Sequence, residues 1–465
     1  MEPAAERRMQ EIFARVLERI KPPKHEVEHE NAIAKRIIAR LREFLPKEIE
    51  VMLTGSVAKE TNLRDDRDID IFLLFPKGYA REDLLTKGIE YAKRAVKPGE
   101  RWEIGYAEHP YVRAKIENCN VEFVPCFKIG EINEKVSSVD RTPLHTRYVL
   151  EFLTDKGKDE VRLLKAFMKR LGVYGAEVRV EGFSGYLCEL LIIEFENFRT
   201  LLEQAARWER PVIDTEVHHP NIEAIRKKFP DAPMVVIDPV DPDRNVAAAV
   251  SQTALSRFVL AAREFLKNPT ERFFFAPKVR LKEKVARELH QKLRDRGTHV
   301  IAMRFAAPKV VEDILWPQLR KTAKIFAWRL EERGFRLFDH GYWSDGKSCL
   351  LLFEFEVERL PAVRKVLGPE VKHIKGVENF VREHRNALSG PWVEGSRVVV
   401  VEPREYSRAE HLVDELARHP ERYAIPSHIA KTITKYTRLN AATLFAKKYR
   451  GFMHEYLVRR EFFYE

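Results

Sequence analysis

The stretch Asp68-Ile69-Asp70-Ile71-Phe72-Leu73-Leu74-Phe75 constrains this chain more than any other. After Asp70 the run is wholly apolar, and Pro76-Lys77-Gly78 closes it. A short apolar run bounded by turn residues fits a buried strand. Side chains alternate faces on a strand, so Asp68 and Asp70 project to one side, with Cα atoms about 6.7 Å apart. Ile69 points the other way, into the packing. Two bare carboxylates at that spacing repel each other, so the arrangement becomes favourable when something positive sits between them.

A divalent cation meets that need. Mg²⁺ is commonly held by one or two carboxylates together with substrate phosphates. Two such ions about 3.5–4 Å apart can stabilise both the attacking and the leaving oxygen of an in-line phosphoryl displacement. Gly55-Ser56, a short way upstream, supplies a complementary feature. Glycine lets the backbone come close to a phosphate, and a helix starting at Ser56 would aim free N–H groups at an anion. Ser56 Oγ and Lys59 add donors. By itself Asp-x-Asp also occurs on exposed edge strands and in glycosyltransferases. The combination of strand, Gly-Ser, short interval, Asp-Ile-Asp and apolar strand is what favours a phosphate cradle beside a metal-binding strand.

The chain's 465 residues suggest about three domains. Its net charge of +11 points to a polyanionic partner, with nucleic acid ahead of a membrane surface, although a basic enzyme without such a partner has the same balance. Cys119, Cys126, Cys188 and Cys349 form no Cys-x-x-Cys pair. That argues against a zinc site and a disulfide framework and for a reducing, cytoplasmic setting. No apolar run approaches the roughly 18 residues that span a bilayer, and the N-terminus lacks a signal peptide's apolar core.

Periodicity predicts two helices before Pro46, a strand over Ile49–Leu53, the Asp68 strand, a helix over Arg81–Lys93 and a strand in NVEFVPCF. This is an α/β or α+β unit to about Leu144. KDEVRLLKAFMKRLGVYG then reads as a helix with Val161, Leu164, Met168 and Leu171 on one face and Gly172 as its cap. FSGYLCELLIIEFENFRTLLEQAARW reads as a second, single long helix in a mainly helical region reaching about Phe275. NPTERFFFAPK looks like a boundary. A helix over Lys282–Arg296, the strand THVIAMRF, the helix QLRKTAKIFAWRLEERG and a hairpin around Asp345-Gly346 follow. That order resembles part of a ferredoxin- or RRM-like sheet. The expected domains are 1–144, 145–275 and 276–465.

GSVAKETNLRDDRDIDIFLLF resembles the signature of the DNA polymerase β-like nucleotidyltransferase superfamily. With YAEHPYV, VEFVPCF, VDRTPLHT, EVRLLKAFMKRLGVYGAE, GFSGYLCELLI and DPVDPDRNVAA, the chain more narrowly resembles the archaeal-type (class I) CCA-adding tRNA nucleotidyltransferases. The resemblance implies an α+β multidomain protein: a polymerase β-like catalytic head, a mainly helical central domain, and a C-terminal α+β body (RRM/ferredoxin-like) with a helical tail. It makes Asp68, Asp70 and Glu122 the metal-binding carboxylates, with Glu122 standing where aspartate is expected. It puts Gly55, Ser56, Lys59, Thr142, His145, Lys165, Tyr174 and Arg244 around the nucleotide. Lys59 stands where the family often has arginine, so charge survives and the planar fork is lost.

For several of these residues, plainer roles exist. Lys165 lies on its helix's apolar stripe, where a lysine usually snorkels to water; the resemblance aims it, with Tyr174, at the triphosphate. Arg244 is the base-reading arginine by resemblance, or a brace for Asp241 or Asp243. Thr142 and His145 could belong to an ordinary turn and cap. Lys431–Glu465 carries eight Lys/Arg against three Asp/Glu with interleaved rings, a pattern that suits RNA but for most of the rings suits a helical core better.

The implied activity is template-independent addition and repair of the tRNA 3′-terminal CCA from CTP and ATP with Mg²⁺. The implied partner is the tRNA acceptor stem and 3′ end, with no membrane, and a homodimer is compatible. The alternatives are a poly(A) polymerase or an oligoadenylate synthase-like enzyme on the same fold, or a catalytically silent RNA-binding protein.

Overall fold

A computed structural model describes residues 3–106, 109–276 and 283–464. Ala107 and Glu108 of the YAEHPYV stretch, Pro277 and Lys278 at the expected boundary, and Lys282 lie outside the described residues. The chain forms two compact units, Met1–Pro277 and Lys278–Glu465.

The first unit opens with helices α1 (Pro3–Ile20) and α2 (Lys24–Phe44). Leu45, which precedes Pro46, is extended and stops α2, because a residue before proline is disfavoured in the helical region. Strand β1 (Glu50–Thr54), the one-turn helix α3 (Gly55–Ala58) and strand β2 (Asp68–Phe75) follow. The expected Arg81–Lys93 helix is α4 (Arg81–Asp83), a π-turn at Leu84–Gly88 and α5 (Ile89–Ala95). Strands β3 (Arg101–Tyr106), β4 (Pro110–Ile116) and β5 (Cys119–Phe127) complete a five-stranded sheet of order β1-β2-β5-β4-β3.

Within it β2 and β5 run parallel, with Asp70 opposite Glu122, and the other neighbours are antiparallel. On one face Ile69, Ile71, Leu73 and Phe75 pack with Val121, Phe123 and the α2 residues Ile33, Ile37 and Leu41. On the other, Phe72 and Leu74 pack with Val124 and Cys126. Both faces of β2 are therefore buried along its apolar run. The two aspartates occupy the open end of the second face.

Helices α6 (Thr142–Phe152), α7 (Asp155–Leu171), α8 (Gly185–Phe195) and α9 (Phe198–Ala205) come next. Thr154 caps α7 by accepting the Gly157 N–H, and Gly172 ends it at φ 70°, a left-handed conformation that suits glycine. The single long helix expected after it is instead two. Glu196 turns left-handed at φ 65°, and the Asn197 side chain accepts the Thr200 N–H to start α9. Asparagine competes for backbone hydrogen bonds, which breaks a helix even within an apolar pattern.

Strand β6 (Val212–Ile213), helix α10 (Ile222–Lys228), strands β7 (Val235–Asp238) and β8 (Asp241–Asn245) and helix α11 (Gln252–Lys267) finish the unit. The small sheet β6-β7-β8 is an addition to the helical region expected here. Rings of Phe13, Phe167, Phe198, Phe265 and Phe274 meet mostly edge to face at its core.

The second unit contains α12 (Glu283–Arg296), β9 (His299–Ala306), α13 (Glu312–Glu332), β10 (Arg336–Ser344) and β11 (Ser348–Val357). A module of β12 (Val363–Glu370), α14 (Ile374–Glu383), β13 (Ser389–Glu394) and β14 (Arg397–Pro403) is inserted here, with its own core of Phe380, Val398 and Val400. The sequence pattern hid it, since β13 is exposed along its whole length. Helices α15 (Ala409–Arg418) and α16 (Ser427–Ile433), strand β15 (Thr437–Arg438), and helices α17 (Ala441–Leu444) and α18 (Arg450–Val458) follow.

The main sheet, β10-β11-β9-β15, is antiparallel throughout. Its two faces are covered separately. Leu351, Phe353 and Phe355 pack under α13, α15 and α16, while Leu350 and Leu352 pack under α12 and α18. The tail rings Phe445, Tyr449 and Tyr456 belong to that second core, so they are packing residues. All four cysteines are free and buried. No described helix is long and apolar enough to cross a membrane.

Candidate active site

Asp68 is exposed at the start of β2, Asp70 is half-buried, and Glu122 lies beside Asp70 on the same sheet face. Asn120 Nδ2 donates to Asp68 Oδ1 at 2.8 Å. Burial, then the charges of Glu122 and Asp68, push the Asp70 carboxyl up to about 7, against a pull from Lys59. The end of β2 thus carries more negative charge than its neighbours balance.

Gly55, at φ 72°, lets the α3 turn press against it. A Cβ there would fall 1.8 Å from Asp70 Oδ2, so any side chain would strain the turn and push the Asp70 carboxylate out of place. Glu122 is held by Arg113, whose Nε donates to Oε1 at 2.8 Å. No group of three His, Cys, Asp or Glu among the described residues stands ready-made as a cation cage. Asp68 and Asp70 suit a divalent ion as they stand; Glu122 could join through Oε2, since both Arg113 contacts fall on Oε1.

The loop from α3 to β2 is clamped by one face of α7. Arg162 donates to the carbonyls of Asn62 at 3.0 Å and Glu60 at 2.5 Å. Lys165 Nζ donates to Thr61 O and Oγ1, both at 3.0 Å, and Lys169 reaches Asp66 at 2.7 Å. The turn that would face phosphates and the strand that would face metal are thereby fixed to the same helix.

Lys165 does not snorkel. It is 2 % exposed, and Glu189 on α8, itself 1 % exposed, faces it at 3.5 Å. Glu189 also takes Lys59 Nζ at 2.5 Å and the Thr61 hydroxyl at 2.6 Å. Tyr174 stands close by: a Cβ built on Gly185 would lie 3.2 Å from its hydroxyl and 3.7 Å from Lys165 Nζ. Burial pushes the Tyr174 phenol up, so it stays protonated as a donor. Ser56, on the α3 turn, uses its carbonyl to accept Thr61 N at 2.9 Å, and among the described residues its hydroxyl makes no hydrogen bond.

Lys59 Nζ lies 5.9 Å from the centre of the Tyr186 ring, which leads into a third cluster. Tyr186 donates to Asp238 Oδ1 at 3.1 Å and stacks on His145, with ring centres 4.0 Å apart. His145 Nε2 lies 2.8 Å from Asp238 Oδ2, and Arg244 donates to the same oxygen at 2.7 Å. Burial holds His145 below its ordinary value, so the ring is neutral at pH 7 and donates one N–H. Arg244 balances the Asp238 charge, and hydrogen bonds from His145 and Arg244 keep that carboxyl at about 2 despite burial.

Arg244 therefore braces Asp238 and neither Asp241 nor Asp243. Asp241 is taken by Lys135 at 2.6 Å and Arg141 at 2.9 Å, and Asp243 pairs with Lys228. Thr142 opens α6 next to Arg141. An open cleft of about 810 Å³, lined in part by Lys135, Arg141, Ser184, Lys228 and Arg244, adjoins this cluster.

Three family descriptions match in chain order. They are "Nucleotidyltransferase domain" over residues 34–145, "tRNA nucleotidyltransferase, second domain" over 159–275 and "CCA-adding enzyme, C-terminal domain" over 296–441. A CCA-adding enzyme of Methanothermobacter thermautotrophicus is 38% identical over 430 residues, spanning 91% of this chain and 92% of its own. One of Methanoregula boonei is 36% identical over 451 residues, 95% of this chain and 94% of its own. One of Haloarcula marismortui is 39% identical over 390 residues, 80% and 81%. The chain belongs to the CCA-adding enzyme family. Its first unit carries the polymerase β-like nucleotidyltransferase fold, a mixed α+β architecture.

The geometry gathers most of the sequence-derived residues into three clusters and leaves Ser56 and Thr142 outside them. Asp68, Asp70, Glu122 and Gly55 meet at the end of β2; Lys59, Lys165 and Tyr174 meet around Glu189; His145 and Arg244 meet on Asp238. Sequence reasoning missed Glu189, Asp238, Tyr186, Thr61 and Arg113. Glu189 left one signal, a lone acid inside the apolar run Leu187–Ile193 apart from Cys188. Asp238 ends an apolar strand much as Asp68 begins one, yet nothing in VVID distinguishes a brace from a ligand.

Proposed function

We propose that this chain completes and repairs the 3′-terminal CCA of tRNA from CTP and ATP. In that reaction the tRNA 3′-hydroxyl oxygen bonds to the α-phosphorus of the nucleotide, the bond to the β-phosphate oxygen breaks, and pyrophosphate leaves. Membership of the CCA-adding family supports the reading. The observation that carries it is the pair Asp68 and Asp70 on one sheet face, with Glu122 in register and the Gly55 turn against Asp70.

Asp68 and Asp70, joined by Glu122, are the proposed ligands of Mg²⁺. When bound, Mg²⁺ would lower the charge of the phosphates and favour the alkoxide form of the attacking hydroxyl. Gly55 leaves room for the phosphates. Ser56, Lys59, Lys165 and Tyr174 would donate to them, fixing the triphosphate in line with the RNA end. Arg244, held by Asp238, would present donors to the base, His145 would offer its second ring nitrogen as an acceptor, and Thr142 would line the same pocket. The first unit would divide into a catalytic head (1–144) and a central nucleotide- and tRNA-binding domain (145–275).

Residues 276–465 would be the tRNA-binding body and tail. The strand order β10-β11-β9-β15, all antiparallel and with α13 between β9 and β10, supports an RRM/ferredoxin-like sheet. The net charge of +11 suits contact with the acceptor-stem backbone, so tRNA affinity should fall steeply with salt. A cytoplasmic homodimer is part of the proposal.

Incubation of tRNA lacking its terminal trinucleotide with Mg²⁺, CTP and ATP tests the reading. Sequencing of the new 3′ end should show C, C and A and then stop. Growth past A, or indifference to CTP, would point to a poly(A) polymerase or oligoadenylate synthase-like enzyme. No growth with tRNA binding intact would point to a silent RNA-binding protein.

A further inference from the structure

Two lysines and one carboxylate share a dry space between α3, α7 and α8. Lys59 is 7 % exposed, Lys165 2 % and Glu189 1 %. Glu189 Oε2 accepts Lys59, while Oε1 accepts the Thr61 hydroxyl and faces Lys165. Thr61 Oγ1 in turn accepts Lys165, so Glu189, Thr61 and Lys165 close a ring that Lys59 joins through Glu189. Two ammonium groups this deeply buried repel each other, and burial alone favours the neutral amine. Nothing else in the ring carries negative charge.

We propose that Glu189 is a positioning residue of the nucleotide site, the resident anion that pairs with Lys59 and Lys165 and aims them until triphosphate oxygens arrive. This rests on the reading above, in which both lysines meet the triphosphate. Glu189 touches neither substrate nor metal; it acts through the lysines.

The groups facing Lys165 set the consequence for pH. They are Glu189 and Cys188 on α8, Lys59 just after α3, Thr61 on the loop and the Tyr174 phenol. Burial pushes Lys165 down, Lys59 pushes the same way, and Glu189 opposes both. Cys188 and Tyr174 are themselves pushed up by burial and stay neutral near pH 7. Without the Glu189 charge, Lys165 therefore gives up its proton as pH rises, and a neutral amine holds phosphate poorly.

The test is steady-state CTP addition by the full chain, with kcat and KM followed from about pH 6.5 to 9. Glu189→Gln should raise KM for CTP about tenfold near pH 7.5, with KM climbing further as pH rises, while tRNA affinity holds. Glu189→Asp keeps the charge one methylene away and should give a smaller rise that begins at higher pH. Lys165→Met should raise KM without the pH climb. A Glu189→Gln enzyme with wild-type KM and a flat profile, beside a raised KM in Lys165→Met, overturns the role of Glu189 alone. Unchanged KM in Lys165→Met and Lys59→Met overturns the triphosphate reading beneath it. If Glu189→Gln does not fold, Glu189→Asp decides, and a wild-type KM with a flat profile there overturns the proposal.

Discussion

Two sets of carboxylates in the first unit are treated in opposite ways. At the end of β2, Asp70 sits beside Asp68 and Glu122, its carboxyl pushed up to about 7 by burial and like charge. At the end of β7, Asp238 is fully buried, yet His145, Tyr186 and Arg244 surround it, and His145 and Arg244 hold it at about 2. Glu189 belongs with Asp238: burial would raise it, and Lys59 and Lys165 bring it down. A carboxylate whose partners balance it stabilises the fold and orients those partners. One left short of positive charge costs stability, and its use is to be completed by something from outside. The contrast separates residues that would hold substrate chemistry from residues that would hold the holders.

The largest expected effect tests that separation directly. Asp70→Asn should reduce nucleotide incorporation by on the order of 10³-fold or more, as when a group that stabilises transition-state charge is lost. tRNA binding should survive. The sign for stability follows from the raised carboxyl. The folded state disfavours the charged form, so Asp70 costs stability as pH rises from about 4, its unfolded value, toward 7. In metal-free buffer at pH 8 the Asn variant should melt at the same temperature or higher. A large drop in melting temperature would move Asp70 into the class of Asp238.

Glu122 lies between the two sets, since Arg113 already holds it. Glu122→Gln should cost about 10²-fold in kcat, less than Asp70→Asn, if the carboxylate supplies only part of the cation's shell. Arg113→Met should have the converse effect on metal: Mn²⁺ affinity, followed by calorimetry, should tighten several-fold because a positive charge beside the carboxylate is gone. Weaker Mn²⁺ binding in that variant would mean that Arg113 orients Glu122 toward the ion.

What the sequence disclosed follows the same division. Asp68 and Asp70 were legible because an acid pair interrupting a strand-period apolar run has few structural explanations, and the Gly-Ser turn next to it narrowed them further. Strands β1, β2 and β5 and helix α7 were legible for a related reason: each is an apolar run or stripe bounded by turn or cap residues. The α8–α9 break was not, because Glu196 turns to positive φ and Asn197 starts a new helix by a side-chain hydrogen bond, and neither alters the apolar pattern. Glu189 and Asp238 were illegible as braces, since their role is defined by Lys59, Lys165, His145 and Arg244, which lie far off in sequence. The β12–β14 module escaped because its exposed strands carry little apolar alternation.

Asp238→Asn should have a smaller effect on chemistry than Asp70→Asn and a larger one on stability. The lowered carboxyl contributes stability that is present above its unfolded value near pH 4 and is lost as pH falls toward 2, worth about 2 kcal/mol for a shift of this size. Chemical denaturation at pH 7 should show a loss of that order, and the difference from wild type should shrink as pH falls through that window. Arg244 would lose its anchor, so discrimination between CTP and ATP should loosen. Unaltered stability at pH 7 would place Asp238 with the uncompensated acids and break the comparison.

The smallest effect is expected where an ion pair looks strong and is wet. Lys169 meets Asp66 at 2.7 Å, but the two side chains are 40 % and 37 % exposed. Water already solvates both charges, so Lys169→Ala should cost at most about 1 kcal/mol and leave kcat unchanged. Arg162, two turns earlier on the same face of α7, is buried and donates to the carbonyls of Asn62 and Glu60. Arg162→Met removes the donors and leaves both oxygens in a dry setting, which costs several times more. It should also lower activity, because the loop it holds leads straight into Asp68. Equal effects of the two substitutions would mean that charge at the surface, rather than burial, fixes that loop.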